Sequence, residues 1–244
     1  GFGAMSEGVR IVEIHDEREP LAEAALSVIA DMFAPSDRQP MAELRSEIAE
    51  RRLGMLSGYN FHLLTALYDD DDIPAGTIAG LYLDGVNAGF ITYLAVRRQH
   101  RGRRLARLLR PALIDVFRGD ARSSGHDELA WVLGEVRADS PWLRRLVRTR
   151  GAIPFDLDYY HPGMSLDAGE RYILYRQPIG DHRRELPVSL VRRTLYTVYR
   201  RGYRVRYPLN RDIFNAMLEQ LSGREFVGVH PDFLPLLCDP PAAG

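Results

Sequence analysis

The chain has 244 residues, 45% of them hydrophobic, which suits one domain with its own core and a small appendage and argues against global disorder. Its 32 basic residues stand against 33 acidic ones, so net charge supplies no general drive toward nucleic acid or an anionic membrane. All 32 are arginine; without lysine, Schiff-base catalysis is excluded, and phosphate-loop and kinase-type phosphoryl transfer lack their usual cation.

Gly1 to Ala4 reads as a scar ahead of a native Met5, and residues 1–5 are set aside. Val9 to Ile14 alternates apolar and polar residues and predicts a strand. Glu19 to Phe33 carries Leu21, Ala24, Ala25, Val28, Ile29 and Met32 at helical spacing. Pro35-Ser36-Asp37 breaks that helix, and a second runs from Pro40 to Arg52, before Gly54. Strands are expected over Phe61 to Tyr68 and Ala75 to Leu83, with a hairpin-type turn at Asp84-Gly85. Gly89 to Val96 is almost wholly apolar, as a strand covered on both faces would be. Leu105, Leu108, Leu109, Ala112, Leu113, Val116 and Phe117 mark a helical face ending near Arg118, with Pro111 expected to weaken it, and Gly119 to Asp127 reads as a loop. Glu128 to Val136 predicts another buried strand. Asp139-Ser140-Pro141 opens a helix that stops at Gly151. Strands are expected at Phe155 to Tyr160 and Tyr172 to Tyr175, then helices at Pro187 to Arg201 and Asn210 to Leu221. Residues 6–180 thus read as the main domain and 181–244 as a helical extension packed on it.

Other chemistries find little support. Cys238 is the only cysteine, so neither an internal disulfide nor a zinc knuckle is available, and a reducing, cytoplasmic setting is expected. The seven histidines form no HxxxH or HxH pair, and no metal site is expected. No apolar run reaches the length of a membrane span, and the start has neither the basic region nor the apolar core of a signal peptide.

The most informative stretch is Leu94-Ala95-Val96 followed by Gln99-His100-Arg101-Gly102-Arg103-Arg104-Leu105-Ala106, where a buried strand turns through a basic glycine loop into an amphipathic helix. The first turn of a helix leaves backbone N–H groups unpaired and carries partial positive charge. Phosphate binds there readily. Gly102 lets the backbone approach an anion, and Arg101, Arg103 and Arg104 add charged donors. A pyrophosphate is the natural guest; an Arg-rich solvated helix end beside an ordinary turn is the competing reading.

This stretch resembles the acetyl-CoA signature of the Gcn5-related N-acetyltransferase (GNAT) superfamily, Gln/Arg-x-x-Gly-x-Gly/Ala behind a strand. Arg101 and Ala106 match its first and last positions. The second glycine does not match: Arg104 stands there, a departure that either weakens turn closure or adds a phosphate contact. The element order agrees from about Val9 to Tyr175. The resemblance implies an α/β fold with a mixed, mostly antiparallel central sheet flanked by helices, here with a C-terminal helical appendage. It implies acetyl-CoA as cosubstrate and an amine of a small molecule or peptide as acceptor. Pantetheine would pair with the backbone of Leu94 and Val96 on a strand splayed from Leu129 to Val136, and the amine would attack the thioester directly. No nucleic-acid or membrane partner is expected; homodimers are common in the family.

Glu135, a lone carboxylate ending an apolar run, is the expected base, against the alternative of a rim glutamate paired with an arginine. Glu128 is expected at the surface. The tyrosine that many members carry before the helix-ending glycine is replaced by Val147. Tyr159, in a segment resembling a Tyr-x-Gln-Pro element of some bacterial members, is the expected acid, against the alternative of an aromatic core plug; His161 is the other proton carrier considered. Ser140 stands where an asparagine often touches the cofactor and equally suits a helix cap. Trp131 and Trp142 read as core. The Arg144/Arg145 and Arg200/Arg201 pairs suit the cofactor 3′-phosphate, an acidic acceptor or, more simply, solvated faces. Two further readings remain: a catalytically idle acyl-CoA or partner-binding module, and RNA binding by the Arg-rich tail with Tyr196, Tyr199, Tyr203 and Tyr207 interleaved.

Overall fold

The computed structural model describes residues 8–102 and 104–238. The set-aside residues 1–5 and Arg103 lie outside the described residues. Two compact units divide the chain: Gly1–Tyr82 with Ile91–Gly125, and Leu83–Phe90 with His126–Gly244.

The first unit opens with β1 (Val9–Glu13), paired antiparallel with β2 (Tyr59–Tyr68) in the register Val9↔Tyr68 to Glu13↔Leu64. Between them lie α1 (Pro20–Met32) and α2 (Met41–Arg52). Pro20 starts α1 without loss because the first helical N–H has no partner to give up. Ala22, Ala25, Leu26, Val28 and Ile29 form its buried side. β3 (Gly76–Leu83) is buried along its whole length, and β4 (Ala88–Val96) follows the left-handed Asn87. Along the end of β4, Tyr93 and Ala95 are buried while Thr92, Leu94 and Val96 are partly exposed, the alternation of a strand with one covered face. That differs from the expectation of cover on both faces. Then comes α3 (Leu105–Ser123). It continues through Gly119, where a loop was expected, because one interior glycine costs only about 1 kcal/mol.

In the second unit, the start of β4 pairs in parallel with β5 (Trp131–Arg137) through Ala88↔Trp131, Gly89↔Val132 and Phe90↔Leu133, and both strands continue beyond that register. The β5 strand begins three residues later than its apolar run suggested, and Glu128 precedes it with Oε1 accepting the Leu129 N–H. After α4 (Pro141–Arg150) come β6 (Ile153–Pro154) and β7 (Tyr172–Pro178), the latter antiparallel to both β5 and β6. The strand expected at Phe155 to Tyr160 is instead β6, ending before it, plus isolated bridges Phe155↔Val229 and Tyr159↔Tyr172. The full sheet runs β1-β2-β3-β4-β5-β7-β6.

The C-terminal extension belongs to the second unit. It contains β8 (Leu186–Pro187), α5 (Val188–Thr197), α6 (Asp212–Gln220), β9 (Phe226–Val227) and α7 (Leu234–Cys238). It adds a small β8–β9 sheet to the helices read from sequence. Phe233 and Leu236 join Leu143, Leu146, Val147, Ala152, Ile173 and Tyr175 in one buried cluster. The helix expected as far as Arg201 leaves α-helical geometry at Thr197 and continues as a π-helical turn, Val198–Gly202.

Candidate functional site

The glycine turn lies in the first unit. Gly102 has φ +82 and Arg104 φ +62 with ψ 23, so the arginine standing at the expected glycine position takes the left-handed conformation a glycine would take. Arg104 is the N-cap residue of α3, and its guanidinium, a donor only, cannot satisfy the first-turn N–H groups of the helix. Arg101 and Arg104 are exposed, Leu105 is buried and Ala106 half-buried. Gly76 supports this corner: a β-carbon there would lie 3.1 Å from the Ala95 carbonyl oxygen and 3.2 Å from Leu109 Cδ1. The orphan amides, the exposed guanidinium groups and the left-handed backbone fit a diphosphate.

In the second unit, β5 presents Glu135, whose side chain is 11% exposed. Oε1 accepts a short hydrogen bond from the Tyr203 hydroxyl and lies 3.4 Å from His161 Nε2. Oε2 is buried and makes no hydrogen bond. No arginine pairs with this carboxylate among the described residues, so it is not the rim ion pair that was its alternative. Tyr159 is 3% exposed, and its hydroxyl interacts with the Glu135 carboxyl without a well-formed hydrogen bond. Burial, then the Glu135 charge and the neighbouring Tyr203 and Tyr199 hydroxyls, hold its pKa well above the ordinary tyrosine range. The phenol thus stays protonated. Tyr199 is fully buried and donates to the Tyr160 carbonyl, and burial pushes its pKa up as well.

His161 is held by its own loop. The Gly163 N–H donates to Nδ1 at 3.1 Å, so the neutral ring carries its hydrogen on Nε2, facing Glu135. Its ring lies 4.9 Å from that of Tyr203 and 6.1 Å from that of Tyr172. Tyr203 packs edge-on to Phe90 at 5.6 Å.

Ser140 occupies the N-cap of α4, but its side chain makes no capping bond, which corrects the expectation of a good cap. Val147, in place of the usual tyrosine, is buried in the cluster under α4. Trp131 is core, whereas Trp142 is 38% exposed, with its edge toward Tyr175, and is not. Arg144 and Arg145 are exposed. Of the four tail tyrosines, Tyr199 and Tyr203 turn into the Glu135 cluster, leaving Tyr196 and Tyr207 exposed. Sequence reading missed Tyr203 at this site. Among the described residues, no group of three or more potential ligands is placed to hold a metal, and no helix is long and apolar enough to cross a membrane.

The architecture matches known proteins. A structure from Bacteroides thetaiotaomicron described as an acetyltransferase of the GNAT family is 16% identical, covering 81% of this chain and 99% of that one, with a TM-score of 0.54. One from Acinetobacter baylyi described as an acetyltransferase is 14% identical, covering 71% and 94%, with a TM-score of 0.51. At such identities the likeness is one of fold. No curated protein matches the sequence. The model of the Acetyltransferase (GNAT) family matches residues 25–151, more than half of the chain, and the chain belongs to that family.

Proposed function

We propose that the protein is an N-acyltransferase that moves an acetyl group from acetyl-CoA to an amine of a small molecule or peptide by direct attack. The observation that carries this reading is the enclosed Glu135 carboxylate, with no arginine partner among the described residues and grouped with Tyr159, Tyr203 and His161. A carboxylate beside a phenol that stays protonated is the pairing an amine nucleophile and a thiolate leaving group need. The turn at Arg101 to Ala106 takes the cofactor's pyrophosphate through backbone N–H groups, Arg101 and Arg104. The family resemblance assigns the N–H groups of Leu94 and Val96 to the charge that develops on the thioester oxygen. The amine's nitrogen bonds to the carbonyl carbon, its proton goes to Glu135, the carbon–sulfur bond breaks, and Tyr159 supplies the proton the thiolate takes up. Residues 181–244 act as an extension of the catalytic domain.

The alternative, an idle acyl-CoA-binding module, is favoured by one feature: Val147 replaces the usual acid and is sealed in the core. One experiment separates the two. Thiol release from acetyl-CoA is followed across a library of amines, with calorimetry of acetyl-CoA binding. We expect binding, turnover with at least one amine, and a loss of roughly 100-fold or more in kcat for Glu135→Gln. Binding without turnover supports the idle module; no heat at millimolar acetyl-CoA defeats both.

A further inference from the structure

The inference rests on the acyl-transfer reading above, because it concerns how a proton reaches Glu135. That carboxylate is poorly placed to meet an amine directly. Its side chain is 11% exposed, Oε2 is sealed from solvent, and Oε1 already accepts from Tyr203. Tyr203 and His161, both half-buried, are the groups that contact Oε1 and also reach the surface.

The two differ in what they offer an incoming proton. His161 Nδ1 is engaged by the Gly163 N–H, which leaves the ring hydrogen on Nε2, toward Oε1. That nitrogen has no lone pair with which to receive a proton. The Tyr203 hydroxyl commits its hydrogen to Oε1, while a hydroxyl oxygen also has acceptor capacity. The backbone around Tyr203 is unusual on both sides. The π-helical turn Val198–Gly202 precedes it, with the Tyr203 N–H bonded to the Val198 carbonyl at 3.0 Å, and Arg204 follows at φ +54. This turn ends the helix begun by α5 and sets the direction in which Tyr203 leaves it.

We propose that Tyr203 is a catalytic residue that relays the amine's proton to Glu135. The hydroxyl oxygen takes a proton from the bound substrate ammonium as its own hydrogen passes to Oε1, and the nitrogen lone pair so freed attacks the thioester carbon. One N–H bond and the original O–H bond break; a new O–H bond forms on Tyr203 and another on Glu135. Tyr203 ends unchanged, and the net movement is one proton from nitrogen to carboxylate. His161 Nε2, 3.4 Å from the same oxygen, flanks Oε1 on its other side. The C-terminal extension is then part of the reaction centre.

The test uses the full chain with an amine found by the library screen. Tyr203→Phe, Glu135→Gln and the double variant are compared in kcat and KM, with melting temperature and acetyl-CoA binding measured alongside. We expect Tyr203→Phe to lower kcat by roughly 100-fold while KM for acetyl-CoA and melting temperature hold. The double variant should be no slower than the slower single variant, because the two residues serve one step. In the unmodified enzyme the solvent-deuterium inventory of kcat should curve, as two protons move together. Overturning results are a Tyr203→Phe kcat within twofold of the parent, losses that multiply in the double variant, or a linear inventory. A Glu135→Gln enzyme of full activity removes Glu135 as the base, and the relay with it, while acyl transfer stands; absence of turnover with every amine is what removes the acyl-transfer reading.

Discussion

Gly202 lies so close to the ring of Phe90 that a β-carbon on it would stand 2.9 Å from Cε1 and 3.0 Å from Cδ1. Phe90 is fully buried and sits in the β4–β5 register opposite Leu133, so its ring has little room to retreat. The same ring packs against Tyr203. Gly202→Ala is therefore expected to cost about 1–3 kcal/mol by overpacking, read as a lower midpoint in urea unfolding. Its kcat should also fall, because Tyr203 is displaced with the turn. A Phe90→Leu background should recover part of both losses. Equal costs in the two backgrounds would show that the ring contact is not what fixes the turn.

His62 makes a second prediction. It is 2% exposed on β2, with Nδ1 at 2.5 Å from Glu13 Oε1 and Nε2 at 2.5 Å from Asp120 Oδ2. Arg51 also reaches Glu13 at 2.8 Å, His15 lies 3.8 Å from its other oxygen, and Asn60 donates to Asp120 at 3.0 Å. Burial alone would lower the imidazole's pKa; hydrogen bonds to Asp120 and Glu13, reinforced by their charges, hold it above its ordinary 6.5. Burial would likewise raise the Glu13 carboxyl, but the His62 hydrogen bond, then the charges of His62, Arg51 and His15, hold it below 4.5. The raised His62 value contributes stability in full below pH 6.5, lost as pH climbs through the folded-state value; the lowered Glu13 value contributes above pH 4.5, lost as pH falls. The cluster should stabilise most between about pH 4.5 and 6.5. His62→Gln is expected to cost roughly 3 kcal/mol near pH 6, and the gap from the parent should narrow by pH 9. A gap that widens with pH would show that the ring is neutral in the folded protein.

Arg176 on β7 is 1% exposed, with its guanidinium carbon 5.7 Å from the Trp131 ring centre and 5.8 Å from that of Phe155. Its Nε and Nη1 make no hydrogen bond, nor does Trp131 Nε1. Burial brings its pKa down to about 10; the Asp181 charge resists this, and Arg183 adds to it. The ring contacts return about 1 kcal/mol each, less than a buried charge with two unpartnered nitrogens is expected to cost. Arg176→Met is expected to raise the melting temperature, by the equivalent of about 1 kcal/mol. A clear drop would mean that the guanidinium serves a bound water or anion.

The element order was legible because each element carries its own period: the alternation of Val9 to Glu13, the apolar face from Leu105 to Phe117, the Pro141 start and Gly151 stop of α4. Glu135 was legible as a carboxylate closing an apolar run. Its partner Tyr203 was not. The link spans 68 residues, and the tail tyrosines follow a helical stripe that the π-helical turn puts out of phase. The His62 cluster escaped for a related reason: Phe61-His62-Leu63 reads as an ordinary strand, and its carboxylates arrive from β1 and α3. Trp142 was misjudged because the first turn of α4 leaves its position outside the buried Leu143, Leu146 and Val147 side.

Arg104 poses the last prediction. A non-glycine residue in the left-handed region pays about 1 kcal/mol that glycine does not, and Arg104 pays it at φ +62. Were Arg104 only a tolerated drift from the family's glycine, Arg104→Gly would raise the melting temperature slightly and leave acetyl-CoA affinity unchanged. The exposed guanidinium stands at the helix start where a diphosphate is expected, and a charge-assisted contact there contributes about 1.5–3 kcal/mol. That exceeds the backbone cost, so the two effects separate in one variant. Arg104→Gly should be slightly more stable without ligand yet bind acetyl-CoA at least about tenfold more weakly, as measured by calorimetry. Raising the salt should narrow the affinity gap, since the lost contact is ionic. Equal affinity at low salt would leave Arg104 a strained residue with no ligand to hold, and the diphosphate grip would rest on the amides and Arg101.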